Sequence, residues 1–96
     1  MKLVKLAPTV IVNDDAIGIL PLKVIVPITD WKERYATRPW MVLLEPTSDN
    51  GLSKPSGVDT FQIRSVSQTR LIQQLGQLSE PEMHLVSQAL ATVLSL

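Results

Sequence analysis

The sequence predicts a mainly β domain, a compact antiparallel sheet or small barrel with one C-terminal helix. The first observation is the run Leu22-Lys23-Val24-Ile25-Val26-Pro27-Ile28, β-branched and bounded by Pro21 and by Asp30, which is too short and too unperiodic for a helix. The second is that the other apolar segments are equally short and are separated by clusters of Pro, Gly, Asn, Asp and Ser, the punctuation of strands and turns. The third lies at the C-terminus, where apolar spacing becomes helical immediately after a capping signal.

Taken in order, Thr9-Val10-Ile11-Val12 is a first strand, closed by Asn13-Asp14-Asp15, whose short polar side chains bond their own backbone and favour a turn. Asp14 or Asp15 caps a short helical turn through Ala16 and Ile17 that Gly18 ends. In the central strand Pro27 has no N–H to donate, so the ladder must be at an edge there or carry an irregularity. Thr29 then places a hydroxyl where the strand opens into Asp30-Trp31-Lys32-Glu33-Arg34, and the mixed signs of its last three residues suit a solvated loop.

Trp40-Met41-Val42-Leu43-Leu44-Glu45 is a third strand, introduced by Arg38-Pro39, stopped by Pro46 and followed by the turn cluster Thr47-Ser48-Asp49-Asn50-Gly51. Gly57-Val58-Asp59 leads into a strand Thr60 to Val66, in which Phe61, Ile63 and, less regularly, Val66 point to the core while period-2 alternation projects Gln62 and Arg64 together from the other face. Leu71 to Leu78 is read as a final strand that Gly76 weakens. Ser79 with Glu82 forms a capping box with Pro81 tolerated in the first turn, and in the helix that follows Val86, Ala89, Leu90, Val93 and Leu94 form one apolar stripe. Met83 and Leu85 border that stripe, and His84, Gln88 and Ser95 lie opposite.

Ninety-six residues make a single domain over 1–96, and a chain this short buries only about 60 to 70% of its unfolded surface, so a partner subunit would add stability. Nine basic and nine acidic residues leave no global field to hold a polyanion, and nucleic-acid contact would depend on local charge placement. With no cysteine there are no disulfides, thiolate nucleophiles or thiolate metal sites, which fits a reducing, cytoplasmic setting. Met1 to Leu6 begins like a signal peptide but lacks a long apolar region, and no later run approaches the roughly 18 residues of a membrane span, so a soluble protein with no membrane partner is expected.

Three blocks in order, Thr9 to Asp15, Val24 to Thr29, and Ser53-Lys54-Pro55-Ser56-Gly57-Val58-Asp59 leading to Gln62-Ile63-Arg64-Ser65-Val66, resemble the MazF/PemK family of toxin endoribonucleases, and Leu75 to Ser79 with its helix resembles the family's last strand and closing helix. The resemblance implies a small SH3-like β-barrel and a homodimer that binds an antitoxin protein. It also implies metal-independent cleavage of single-stranded RNA, with no cofactor, by attack of the ribose 2′-hydroxyl on the adjacent phosphate to leave a cyclic phosphate. On it, Thr29 matches the catalytic Thr, while Gln62 and Arg64 match a Gln-x-Arg pattern suited to phosphate. Trp31 either covers the barrel mouth or stacks on an RNA base. The departure is at the family's Arg-Pro motif, where Pro8 is preceded by Ala7 and the family's first strand is absent or reduced to Met1 through Leu6.

Two function classes follow: an endoribonuclease toxin, or a catalytically impaired module that keeps the toxin fold and binds antitoxin or nucleic acid without cutting. A gyrase poison of the CcdB type shares the fold but matches these blocks less well.

Overall fold

The computed structural model describes residues 2–4, 9–12, 21–67 and 74–96. The turn expected at Asn13 to Asp15, the helical turn to Gly18, and Leu71 to Gln73 of the expected final strand lie outside the described residues. The strands are β1 (Lys2–Val4), β2 (Thr9–Ile11), β3 (Leu22–Asp30), β4 (Met41–Leu44), β5 (Ser56–Asp59), β6 (Arg64–Ser67) and β7 (Gln74–Gln77), followed by helix α1 (Glu80–Leu94). Every pairing is antiparallel, in the order β4-β5-β3-β2-β1-β7 with β6 also on β3. The N-terminal segment contributes Lys2–Val4 as a short strand between β2 and β7.

Strand β3 holds the sheet together because it pairs with three others, and the expected irregularity at Pro27 is there. Along one edge β6 pairs with Leu22 to Ile25 and β5 with Ile28 to Asp30, leaving Val26 and Pro27 in neither ladder, while β2 pairs with Ile25 to Pro27. A residue with no N–H thus sits where that edge requires none.

The segment opposite this gap departs from the expected continuous strand. Ser56–Asp59 is a strand in its own right, Thr60–Gln62 is a single 3-10 turn, and pairing resumes only at Arg64. Local hydrogen bonds explain the break: the Asp59 carboxylate accepts from the Phe61 N–H at 3.1 Å and from Gln62 Nε2 at 2.7 Å. The Thr60 hydroxyl, fully buried, donates to the Trp40 carbonyl at 2.7 Å. Burying Thr60 turns its neighbour outward, so Phe61 is 66% exposed rather than in the core and leans on Trp40 at 5.8 Å between ring centroids.

The core is Val10, Val26, Val42, Leu44, Val58, Leu78, Val86 and Ala89, with Ile28, Ile63, Met83 and Leu90 packed against it. Alternation assigns the rest of β3 to β5: Val42, Leu44, Val58 and Ile28 face inward, so Leu43, Gly57 and Thr29 face out. The capping box is complete, with Ser79 Oγ accepting from the Glu82 N–H at 3.3 Å and Glu82 Oε1 accepting from the Ser79 N–H at 2.8 Å. The helical stripe seats as expected at Val86, Ala89 and Leu90, whereas Leu85 and Leu94 remain half exposed.

Among the described residues no ladder joins β4 to β7, so the sheet does not close through strand pairing. The turn after β4 makes the connection instead. Asn50, fully buried, donates through Nδ2 to the Glu45 carbonyl at 2.8 Å and to Glu82 Oε2 at 3.2 Å, and its Oδ1 accepts from the N–H groups of Thr47 and Leu52, each at 3.0 Å. The Gln77 N–H then donates to the Asp49 carbonyl at 2.8 Å. The approach is so close that a Cβ on Gly76 would stand 2.2 Å from that same oxygen.

Gly76→Ala should therefore force this turn off β7. Backbone atoms cannot rotate aside as a side-chain end can, so the expected cost is about 2 kcal/mol or more, at the upper end of overpacking, read from the urea midpoint at unchanged m value.

Candidate active site and nucleic-acid interface

Thr29 is the next-to-last residue of β3, exposed, and registered opposite Gly57 of β5. Directly opposed residues share a face, and Gly57 offers no side chain, so the surface beside Thr29 is left open for its neighbours to fill. They are aromatic and sulfur-bearing: a Cβ on Gly57 would lie 3.3 Å from the Trp31 ring, 3.5 Å from the Tyr35 ring and 2.9 Å from the Met41 methyl. Trp31 stands two residues beyond Thr29, on the same face by alternation, and its N–H donates to the Pro55 carbonyl at 3.2 Å. Half-buried, it meets Tyr35 edge to face at 5.7 Å between centroids.

The segment read as a solvated loop is a 3-10 turn, Glu33–Thr37. Its bonds run from the Tyr35 N–H to the Lys32 carbonyl at 2.9 Å and from the Arg38 N–H to the Tyr35 carbonyl at 3.0 Å. It stops at Arg38, extended at φ −101° and ψ 110°, because a residue before proline is driven out of the helical region by the ring of Pro39. The turn places the Arg34 and Arg38 guanidinium carbons each 5.3 Å from the Tyr35 ring centroid. The sequence reading missed Tyr35 and Arg38 and took Arg34 only as a solvated charge. The available signal was spacing, with Arg34 and Arg38 bracketing Tyr35 and Trp31 one turn before it.

Arg64 opens β6 opposite Ile25, exposed and on the face that Thr29 shares. It lies four residues before Thr29 along β3, about 13 Å at roughly 3.3 Å per residue. Gln62 is not beside it as alternation would require. It sits in the 3-10 turn with its amide nitrogen held by the Asp59 carboxylate at 2.7 Å, so the expected pair of long polar side chains projecting together from one strand is not formed.

On the other side of β3 a groove of about 530 Å³ runs beneath its end, lined by Ile28, Thr29, Asp30, Leu52, Lys54 and Leu75. Lys54 Nζ is 3.0 Å from Asp30 Oδ1 with both side chains more than half exposed, a contact worth well under about 1 kcal/mol. Asp30 and Ile28 point to the side opposite the Thr29 hydroxyl, so the ion pair and the aromatic cluster flank the strand end from different faces.

With this geometry in view, comparison with known proteins gives a match over residues 2–94 to the family of PemK-like, MazF-like toxins of type II toxin–antitoxin systems. The chain belongs to that family. Among solved structures, a mycobacterial endoribonuclease superposes with a TM-score of 0.82 at 25% identity, covering 99% of this chain and 88% of its own. A second mycobacterial endoribonuclease, solved in complex with its cognate antitoxin, gives 0.80 at 26% identity, covering 99% and 90%. A MazE–MazF structure from Deinococcus radiodurans gives 0.77 at 22% identity over 99% and 92%, a likeness of fold. No curated protein matches the chain. The toxin fold expected from the sequence is therefore present, an antiparallel sheet with one C-terminal helix that, among the described residues, strand pairing alone does not close. Among the described residues no helix is long and apolar enough to cross a membrane.

Proposed function

We propose that this toxin is an endoribonuclease that cuts single-stranded RNA at short sequence motifs without a metal ion or cofactor, with Thr29 as the catalytic hydroxyl. The observation that carries the reading is the family match over residues 2–94, together with structural neighbours described as endoribonucleases. The site supports it by geometry: Thr29 is exposed on a rigid strand end, with cations on its own face in both directions, Arg64 on one side and Arg34 with Arg38 on the other. In the reaction the 2′-oxygen bonds to phosphorus, the bond from phosphorus to the 5′-oxygen breaks, and the proton lost by the 2′-hydroxyl ends on that leaving oxygen. Thr29 donates a hydrogen bond to a non-bridging phosphate oxygen as charge builds there, and Arg64 binds the strand through a neighbouring phosphate. Trp31 offers a base a stacking surface, and Gln62 acts through Asp59 rather than on RNA.

A second reading is favoured by one observation, that Ala7 stands where the family's Arg-Pro motif has its Arg. Loss of a charge-stabilising group costs about 10² to 10³ in rate, so a chain that binds RNA and antitoxin without measurable cutting is the alternative. One assay separates the two: timed cleavage of a labelled RNA mixture in chelator. Cleavage by the parent, with Thr29→Ala at least roughly tenfold slower at equal folding, supports the nuclease. Equal rates remove Thr29 from catalysis, and a parent that binds without cutting supports the impaired module.

The toxin also works as a cytoplasmic homodimer that binds an antitoxin protein, as one mycobacterial neighbour is described in complex with its own. The edge of β4 that is unpaired among the described residues and the half-exposed Leu85 border a groove of about 790 Å³ between strand and helix, which supplies apolar surface for pairing. Light scattering at micromolar concentration should give the dimer mass, and the product of a neighbouring small reading frame should co-purify. A monomer mass or an empty pull-down contradicts this part.

A further inference from the structure

From the cluster on the outer face beside Thr29 we infer that Arg34 and Arg38, each held against the Tyr35 ring, are a clamp for the phosphate of a nucleotide flanking the scissile bond. The inference rests on the reading of the chain as an RNA-cutting toxin and adds a subsite that Thr29 and Arg64 do not supply.

The first observation is charge placement. In a chain with equal numbers of basic and acidic residues, the stretch 32–38 carries Lys32, Arg34 and Arg38 against Glu33 alone. The second is convergence. Two guanidiniums lie 5.3 Å from the same ring centroid, and the quadrupole of a neutral ring attracts both without neutralising either charge. Among the described residues neither is in an ion pair, whereas Lys54 nearby has Asp30. Their donor forks thus keep capacity for an anion, and planar forks match the oxygens of phosphate.

The third observation is position. Tyr35 lies 3.5 Å and Trp31 3.3 Å from where a Cβ on Gly57 would be, and Gly57 is the residue directly opposite Thr29. Opposed Cβ positions stand about 5 Å apart, so the Tyr35 ring begins roughly two side-chain widths from the Thr29 hydroxyl and one strand of RNA reaches both. The fourth is rigidity. The hydrogen-bonded 3-10 turn, the Trp31 N–H on Pro55 and the absent side chain at Gly57 hold the ring flush against the sheet. Tyr35 is accordingly a positioning residue, and the two arginines are the binding groups.

The test uses the full chain and a 2′-O-methyl RNA oligonucleotide mixture, which binds but has no free 2′-hydroxyl to attack, with affinity read by fluorescence anisotropy at several salt concentrations. The double change Arg34→Gln with Arg38→Gln should raise Kd at least about tenfold and reduce the slope of log affinity against log salt by about 1.4, two phosphate contacts at roughly 0.7 each for a single strand. With cleavable RNA, KM should rise by a similar factor and kcat stay within about twofold. Tyr35→Phe, which keeps the ring, should behave as the parent, and Tyr35→Leu should lose part of the affinity. Arg34→Gln alone, at an exposed position, guards against a misfolded double variant and should give about half the change in slope.

A parent-like Kd and slope in a folded double variant overturns the clamp while leaving the nuclease reading intact. So does a fall in kcat at unchanged KM, or weakened binding of an acidic poly-glutamate peptide with RNA affinity untouched. A parent that neither binds nor cuts RNA overturns the nuclease reading and the clamp together.

Discussion

A buried carboxamide organises the turn that bridges the two ends of this sheet. Among the described residues strand pairing carries the fold from β4 round to β7 and stops, and what bridges the remaining gap is the turn after β4, organised on the side chain of Asn50. Asparagine has two amide hydrogens and two oxygen lone pairs to satisfy, and here all four are used in a fully buried setting. Among the described residues no buried side-chain polar atom lacks a partner. Such a network is stabilising only when complete, since each orphaned group costs about 1 to 3 kcal/mol. Its reach is long: Glu82 answers Asn50 with one carboxylate oxygen and caps the helix with the other, so the turn, β7 and the start of α1 are positioned by one connected set of bonds.

That arrangement also sets the site. Gly51 and Leu52 follow directly from Asn50 and form a wall of the groove under the end of β3, and a Cβ on Gly51 would come within 2.3 Å of the Leu75 carbonyl. Thr29 therefore stands on a strand end above a groove whose far wall, held tightly against Leu75, has no room to shift. From above it is braced by the 3-10 turn carrying Tyr35. The gap in the ladder at Val26 and Pro27 divides the outer face of β3, with Arg64 on one side and Thr29, Trp31 and the paired arginines on the other. Covered by aromatic rings at Gly57 and cationic on both flanks, the surface suits a strand of RNA lying along β3.

Much of this was legible in the sequence because the signals are local. The β-branched run makes β3, Pro27 interrupts its ladder, and Ser79 with Glu82 starts the helix; each depends on a few neighbouring residues. Thr29 came from a resemblance in which three blocks recur in order. What was not legible depended on long-range partners. Asn50 looked like one more turn residue, since nothing in Thr47 to Gly51 says that a helix 32 positions later will supply a carboxylate. Strict alternation misassigned Phe61 and Gln62 because the Asp59 carboxylate offered the backbone a competing turn and a buried Thr60 fixed the register. Mixed charges around Lys32 hid a 3-10 turn whose stability comes from packing Tyr35 over a glycine on a different strand.

The claim that a single carboxamide organises the turn bridging the two ends of the sheet is tested most directly by native-state amide exchange and urea unfolding of Asn50→Leu, which keeps the same branched side-chain skeleton and removes all four bonds. Stability should fall by about 3 kcal/mol or more, because the Glu45 carbonyl, the Glu82 carboxylate and the Thr47 and Leu52 amides are left without that partner in or near the interior. The Gln77 amide, bonded to Asp49, should lose protection beyond that global change as β7 separates from the turn. A folded Asn50→Leu chain with stability within about 0.5 kcal/mol of the parent and an equally protected Gln77 amide would contradict the account.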